Sequence, residues 1–381
     1  RNSQIQDSVC VMNPENYFIG SLDYSGRYLK NALILSTYYE AGSGMEQKKQ
    51  FSFLKVLDGH GTHVWNDYNN NGVEEINEFE IAAFQDQANY VKVWIASNDF
   101  MNTYNTQFTQ KIQFRPANMY RHKKGFLKFL SRFSNLASLR IAQKNTLLPI
   151  FKALNPFNFN IKDSNVVSNN LNFINTLSFN QNSSIWGIDY TYKVLQNKVL
   201  NFYGSEASST IYHDFLCRVK PINPLLLKFN YIYDCSKRLS SAFQINNFTI
   251  VSHTAMVSML INHSKPIDWS VQYLFSWQNN LIGEEKNLKN SVRFDLNYRM
   301  ARRGVIGVRL QYLNLKFLGD ENMNVAYQML EGFRKGHNLS WYINMQTNLS
   351  EFLQLDLKYE GRVSQHSKII HLGMLQVKAH F

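Results

Sequence analysis

Oxygen-bearing side chains recur at regular spacing in the segment 67–78. Asp67, Asn69 and Asn71 stand at alternate positions, Gly72 follows, and Glu78 ends the segment. This order fits the calcium-loop pattern D-x-[DN]-x-[DN]-G-x5-E. Oxygens at the first three positions can converge on one side of a hard cation, and the glycine permits the sharp turn. The spacing therefore predicts an EF-hand-like calcium site.

The same loop supplies the rest of the expected coordination shell. Val73 would offer its backbone carbonyl, Glu75 would act through a water molecule, and Glu78 would contribute two oxygens. The predicted ligands are Asp67, Asn69, Asn71, Val73, Glu75 and Glu78. Because two of the side-chain ligands are amides, we expect modest affinity and a structural role for calcium. The alternative is an Asn-rich surface turn that binds no metal.

From about residue 165 onward, apolar and polar residues alternate in segments of about ten, separated by short polar turns. In the segment 267–278, Trp269 and Phe275 share one predicted face and Asp268 and Gln272 share the other, because successive strand residues point to opposite faces. The pattern predicts an antiparallel transmembrane β-barrel of about 12–14 strands over residues 157–381. The expected lipid-facing residues include Trp269, Phe275, Phe294, Leu296, Trp341 and Leu375. The expected lumen-facing residues include Asp268, Gln272, Arg293, Asp295, Arg299, Gln354, Asp356, Lys358 and Lys378.

Two other segments precede this predicted barrel. Residues 1–115 contain extended pieces and glycine-rich turns, which predict a small β-rich domain that carries the calcium loop. Residues 116–156 form a basic stretch in which apolar residues recur at spacings of three and four, from Phe126 to Ile141. That period predicts an amphipathic helical linker, which packs on the protein itself, plugs the barrel or lies on a membrane surface. The fold class is therefore all-β with a short helical linker.

Composition restricts the function further. The chain has 381 residues and a formal net charge of +12, but the charges are spread along it, so we expect no nucleic-acid partner. Cys10, Cys217 and Cys235 do not form a disulfide framework, and we expect the strand cysteines to be unpaired. No pairing of nucleophile and base predicts a catalytic site, so we expect a protein that is not an enzyme. The first residue is Arg1 and no signal-peptide pattern follows it, so we expect a longer precursor.

Three stretches carry a resemblance to known proteins. They are the segment 61–80 with its Asp67–Gly72 core, the segments 326–332 and 359–362, and the closing segment Gln376–Phe381. They resemble the C-terminal portion of large, mostly uncharacterised outer-membrane β-barrel or cell-surface proteins of Bacteroidota, of the flavobacterial type. Some barrels of that phylum belong to type IX secretion and gliding assemblies. The resemblance thus implies a secretion or surface complex of the cell envelope as the class of partner.

These observations give two functional hypotheses. The first is a non-enzymatic barrel in the bacterial outer membrane, in contact with its lipid, which acts as a membrane anchor, a scaffold or a pore component of a surface or secretion assembly. The second is a soluble, secreted β-rich adhesin or carbohydrate-binding protein whose aromatic faces line a binding surface. Detergent dependence and heat-modifiable gel mobility distinguish the two hypotheses.

Overall fold

The computed structural model describes residues 17–48, 50–95, 99–146, 150–157, 165–262, 266–300, 303–350, 352–365 and 367–379. Its main feature is a 15-stranded antiparallel sheet in which neighbours along the sheet follow one another along the chain. Its strands are β1 (Ile19–Tyr28), β2 (Leu33–Gln47), β7 (Phe100–Phe114), β8 (Phe133–Asn145), β9 (Val166–Phe179), β10 (Trp186–Asn201), β11 (Gly204–Ile222), β12 (Leu225–Ser240), β13 (Phe248–Asn262), β14 (Ile267–Asn280), β15 (Lys286–Met300), β16 (Gly304–Leu318), β17 (Gly336–Asn348), β18 (Leu353–Ser364) and β19 (Ile370–Ala379). The predicted all-β class is confirmed.

A second, 4-stranded sheet is inserted between β2 and β7. It consists of β3 (Gln50–Lys55), β4 (His63–Trp65), β5 (Phe79–Ile81) and β6 (Tyr90–Ile95). We call residues 50–95 the cap. Four short α-helices complete the structure, α1 (Ala117–Tyr120), α2 (Phe126–Leu130), α3 (Ile150–Ala153) and α4 (Asn324–Leu330), and single 3-10 turns cover Ile76–Glu78, Gln85–Gln87 and Gln244–Asn246. None of the described helices combines the length and apolar character needed to cross a membrane.

The connections divide between the two ends of the large sheet. At the end where β10 meets β11, which we call the cap end, lie the cap and the loop that carries α4. At the opposite end, which we call the turn end, most connections are short, and Asn223 and Pro224 alone join β11 to β12. The exception is the segment 115–132, which carries α1 and α2.

The two faces of the large sheet have opposite chemistry. The pairing register places the predicted lipid-facing residues together on one face, which we call the apolar face, and the predicted lumen-facing residues on the other, the polar face. Large side chains of the apolar face are exposed: Phe229 by 45%, Trp277 by 44% and Leu310 by 47%. Several polar-face side chains are buried, among them Ser276, Asn287 and Lys289. A water-soluble protein has the reverse arrangement.

Ion pairs on the polar face join residues of neighbouring strands. Arg309 Nε lies 2.7 Å from Asp295 Oδ1, and Lys378 Nζ lies 2.6 Å from Asp356 Oδ2. Asp268 pairs in the same way with Arg299. These carboxylates and bases would be costly in a dry core without partners, and their alternation with apolar neighbours places them all on one side of the sheet.

One prediction for the segment 116–156 is wrong. The helical period from Phe126 to Ile141 predicts one or two helices. Helix α2 covers its start, but β8 occupies Phe133–Asn145 and pairs with β7 and β9. Leu139 and Ile141 also fit a period of two, so the spacing of apolar residues alone did not distinguish helix from strand. Two neighbouring strands satisfy the backbone groups of β8, and this tertiary pairing overrides the local helical pattern.

The predicted division into three segments also differs from the extent of the sheet. Residues 157–381 contribute eleven strands, β9–β19, and the remaining four come from before residue 146. The large sheet therefore draws strands from all three predicted segments. Within the described residues β1 and β19 are the edges of the sheet and do not pair with each other. The predicted closing residues His380 and Phe381 lie outside the described residues, as does Cys10.

The described cysteines are free, as expected. Cys217 stands opposite Phe229 on β12, and Cys235 stands opposite Ile211 on β11. The two cysteines are thus offset by six positions along neighbouring strands. That offset is too large for a disulfide, which needs Cα atoms about 4.4–6.8 Å apart.

Candidate functional site

The predicted calcium loop is an ordered turn between β4 and β5. Asp67 Oδ1 accepts a hydrogen bond from the Asn71 backbone N–H at 3.1 Å, and Asp67 Oδ2 accepts one from the Gly72 N–H at 2.9 Å. Gly72 has φ of 72°, and Asn70 has φ of 57°. These left-handed conformations favour glycine and asparagine, so the sequence and the tight turn agree.

The amide side chains of the loop hold its middle and its end together. Asn71 Oδ1 accepts a hydrogen bond from the Val73 N–H at 2.7 Å, and Asn69 Nδ2 donates to Glu75 Oε2 at 3.1 Å. Asn71 Nδ2 lies 3.4 Å from Glu75 Oε1. All six predicted ligands are therefore linked to one another by direct hydrogen bonds, Glu78 through its Oε2, which accepts from the Glu75 N–H at 3.4 Å.

Glu78 is fully buried at the base of the loop. Its Oε2 accepts a hydrogen bond from Trp65 Nε1 at 2.8 Å, and its Oε1 accepts one from the Tyr68 N–H at 3.3 Å. These bonds hold the carboxylate between the strand before the loop and the start of the loop. N–H donors thus satisfy both oxygens of this buried carboxylate.

The donor set of this loop fits a hard cation. The loop contains four carboxyl groups, those of Asp67, Glu74, Glu75 and Glu78. None of the four forms a salt bridge within the described residues. Side-chain and backbone oxygens are the ligands that calcium prefers. No group of three or more His, Cys, Asp or Glu side chains in the described ranges is placed to hold a metal, and this includes Asp67, Glu75 and Glu78. The predicted shell would combine these three carboxylates with two asparagines and a backbone carbonyl.

The cap lies against the polar face at the cap end through two ion pairs. Glu80 Oε2 lies 3.3 Å from Arg238 Nη1 on β12. Asp86 pairs through both carboxylate oxygens with Arg362 on β18, and its Oδ2 lies 2.6 Å from Nη2. Arg362 also lies 3.8 Å from the centre of the Phe84 ring, in the geometry of a cation–π contact. Since β12 and β18 are far apart in the sheet, the cap extends across its polar face.

Helix α4 forms the apolar support for the cap. Val325 and Met329 pack with Phe248 and Ile250 of β13. On its other side, α4 packs Ala326 and Leu330 against Leu315 of β16. Tyr327 joins this helix to the cap, because its hydroxyl accepts a hydrogen bond from the Ala83 N–H at 2.7 Å and donates one to the Ile81 carbonyl at 3.2 Å.

A cavity of about 270 Å³ lies between the cap and the wall of the large sheet. Phe51, Phe79, Glu80, Lys92 and Arg238 are among its lining residues. Burial raises the pKa of the Glu80 carboxyl above its ordinary value, although Arg238 opposes this shift. Burial also lowers the pKa of the Lys92 ammonium, which lies 3.6 Å from the centre of the Phe51 ring. This cavity is therefore lined by partly desolvated charges and aromatic rings.

Tyrosine–histidine pairs recur on the apolar face. In four hairpins that close at the cap end, a hydrogen bond joins a tyrosine hydroxyl to Nδ1 of a histidine on the next strand. The pairs are Tyr190–His213 at 2.8 Å, Tyr231–His253 at 2.8 Å, Tyr312–His337 at 2.5 Å and Tyr359–His371 at 2.9 Å. In another hairpin that closes at this end, β14–β15, Tyr273 donates to Asn290 Oδ1 at 2.9 Å. Rings with one apolar and one polar part suit a boundary between lipid and water.

Sequence reasoning did not identify these pairs or the contacts of the cap. Glu80 and Arg238 are separated by 158 positions, and Asp86 and Arg362 by 276. The only local signal for the tyrosine–histidine pairs was a tyrosine on one strand and a histidine on the next. Among family models, none matches the chain. A search of curated proteins gives no match.

Proposed function

We propose that this chain is a non-enzymatic, membrane-spanning β-sheet protein of the bacterial outer membrane, whose large sheet forms the wall of a β-barrel. The observation that supports this most is the inverted burial of the sheet, with exposed Phe229, Trp277 and Leu310 on one face and buried Asn287 and Lys289 on the other. In water the exposed rings would be costly at about 25 cal/mol per Å² of apolar surface. In contact with lipid, the same exposed rings would not carry this free-energy cost.

The dimensions of the strands agree with this proposal. A tilted transmembrane strand needs about 9–11 residues, and the strands of the large sheet run from 10 residues in β1 to 19 in β11. Trp186, Trp269 and Tyr298 near the turn end suit a membrane interface, where barrels carry a girdle of aromatic rings. The proposal requires that the edges β1 and β19 meet or be bridged in the membrane.

The connections suggest an orientation for the barrel. Barrels of this kind have short periplasmic turns and longer extracellular loops. The turn end would then face the periplasm, and the cap would face the outside. Because the cap and α4 occupy the polar face at the cap end, we propose an anchor or scaffold of a surface or secretion assembly, or an occluded pore component.

Calcium would have a structural role in this protein. Asp67, Asn69, Asn71, Glu75 and Glu78 would hold the ion with the Val73 carbonyl, and the ion would balance the carboxylates of the loop. Bound at this position, calcium would connect β4 to β5 and stiffen the cap. The fully buried Glu78, held by N–H donors alone, is the observation that supports this site.

Membrane fractionation and gel mobility test the proposed function. We expect the folded chain to require detergent and to change its mobility on an SDS gel when it is boiled, as a folded β-barrel does. A chain that stays folded and monodisperse in aqueous buffer, with the same mobility before and after boiling, would contradict the proposal. That result would favour the soluble adhesin or carbohydrate-binding protein instead.

A further inference from the structure

A second cavity, of about 420 Å³, lies at the turn end between the segments 115–132 and 180–185. Arg115, Arg121 and Arg132 line it together with amide and hydroxyl side chains, and none of its described lining residues is acidic. Arg121 and Arg132 form no salt bridge within the described residues. Arg121 and Arg132 thus border one space without a carboxylate partner among the described residues, and Arg115 lines the same space.

The other polar groups of this cavity can also donate hydrogen bonds. Gln181 Oε1 accepts from the Ser134 hydroxyl at 2.8 Å, which leaves the NH2 group of Gln181 available. The Ser183 hydroxyl oxygen accepts from the Ile185 N–H at 3.3 Å, so its own proton remains to be donated. Guanidinium groups together with neutral donors are the chemistry that binds phosphate oxygens.

An aromatic cluster adjoins the same cavity. Phe133 lines the cavity and also lies 4.7 Å from Phe179 and 5.4 Å from Phe129, measured between ring centres. Phe179 in turn lies 5.5 Å from Trp186. Two rings of α2 remain exposed, Phe126 by 71% and Phe129 by 47%. The basic cavity and an exposed apolar surface therefore share a wall.

We propose that this cavity binds the phosphate of an anionic phospholipid headgroup, while Phe126 and Phe129 contact the acyl chains of the same lipid. Phe133, Phe179 and Trp186 belong to the apolar face at its turn-end rim, so a headgroup in the cavity would lie at the level of the membrane boundary. This inference rests on the proposed membrane function. It adds a specific lipid class and a defined site to it.

Competition between two lipids tests the site. The protein is purified in neutral detergent, mixed with equal amounts of phosphatidylglycerol and phosphatidylcholine, and the retained lipids are counted by native mass spectrometry. We expect the wild type to retain phosphatidylglycerol preferentially. The double variant R121Q/R132Q should reduce this preference by on the order of 10-fold, since it removes two guanidinium groups that can form charge-assisted hydrogen bonds to the phosphate.

A matched control variant distinguishes binding in the cavity from a general effect of positive charge. K123Q/K124Q removes the same charge from the same segment, but these lysines do not line the cavity, so it should keep most of the preference. Equal losses in the two double variants, or no preference in the wild type, would overturn the proposal. Unboiled gel mobility checks that each variant is folded.

A separate measurement with inorganic phosphate tests whether the site binds a free anion rather than a lipid headgroup. If inorganic phosphate alone raises the melting temperature through Arg121 and Arg132 while phosphatidylglycerol is not preferred, the site binds a free anion and the lipid assignment is wrong. Failure of the membrane proposal itself has a different signature, because the wild type would then need no detergent. A wild type that is heat-modifiable and shows no lipid preference would contradict this inference alone.

Discussion

Arg362 and Asp86 form a two-pronged ion pair that fastens the cap to β18. The guanidinium is 8% exposed and the carboxylate 22% exposed, and the face of the Phe84 ring covers the arginine. Geometry of this kind gives arginine an advantage over lysine, because its planar fork matches both carboxylate oxygens. The contact is one of several that hold the cap against the large sheet, together with the Glu80–Arg238 pair and the hydrogen bonds of Tyr327.

Removing Asp86 should therefore loosen the cap. In Asp86→Ala the buried Arg362 loses its partner, and we expect a cost of about 3–5 kcal/mol in the unfolding of the cap, measured by denaturant titration and by limited proteolysis. The control is Glu321→Ala, which breaks the exposed pair Lys335–Glu321 and should cost no more than about 1 kcal/mol. Equal effects of the two substitutions would show that the Arg362 pair does not fasten the cap.

A lysine scan on β15 should distinguish the two faces of the sheet. Phe294→Lys places a charge on the apolar face and should cost about 2–4 kcal/mol if that face meets the middle of a bilayer. Asn297→Lys, on the polar face of the same strand, should change stability little. The measurement is the unfolding free energy in lipid vesicles. Similar values for both variants would argue against lipid contact at Phe294.

Calcium should stabilise the cap through the loop 67–78. Chelation of the wild type is expected to lower the melting temperature of the cap, since an ion bound only by the folded state stabilises it. Asp67→Ala should remove the difference between the chelated and calcium-loaded protein, whereas Asp58→Ala, outside the loop, should keep it. A wild type that does not respond to chelation would leave the loop as a turn without a metal.

The cap should become less stable as the pH rises through the titration of Glu80. Burial raises the pKa of this carboxyl above its ordinary value of 4.5, so the folded cap binds the proton more tightly than the unfolded chain does. The resulting stability is present below pH 4.5 and is lost as the pH rises through the folded pKa. Glu80→Gln should remove this loss.

His63, which lines the same cavity, opposes this trend. Burial lowers the pKa of its imidazole, so its contribution is present above pH 6.5 and is lost as the pH falls through the folded pKa. Unfolding of the cap followed from pH 4 to pH 8 in the wild type, Glu80→Gln and His63→Gln should separate the two contributions. Identical profiles for the wild type and Glu80→Gln would contradict the assignment to Glu80.

The strands were predictable where both faces carry a clear pattern. The alternation in 267–278 is confirmed by β14, Ile267–Asn280, because a period of two has one structural solution when every second residue is apolar. In 133–145 the period was ambiguous, and pairing with β7 and β9 decided the outcome. Local sequence carries no information about which neighbours a segment will find.

The candidate sites divide in the same way. The loop 67–78 was predictable because all of its residues are local and their spacing follows from one turn. The contacts of Arg362 and Arg238 with the cap were not predictable, because each depends on bringing together residues from distant strands. The cavity with Arg121 and Arg132 combines two separate turn-end segments, and only the basic character of the first could be read from the sequence.

The direction of the edge strands has a consequence for the proposed barrel. All neighbours among the 15 strands are antiparallel and follow chain order, so β1 and β19 run in the same direction. Direct contact between β1 and β19 would thus create a single parallel seam in an otherwise antiparallel wall. A closed sheet that is antiparallel throughout requires an odd number of further strands between β1 and β19. Each of these strands would carry its apolar residues on the face that contains Leu22 and Leu375. A segment that closes the proposed barrel with antiparallel pairs only must therefore contribute an odd number of strands.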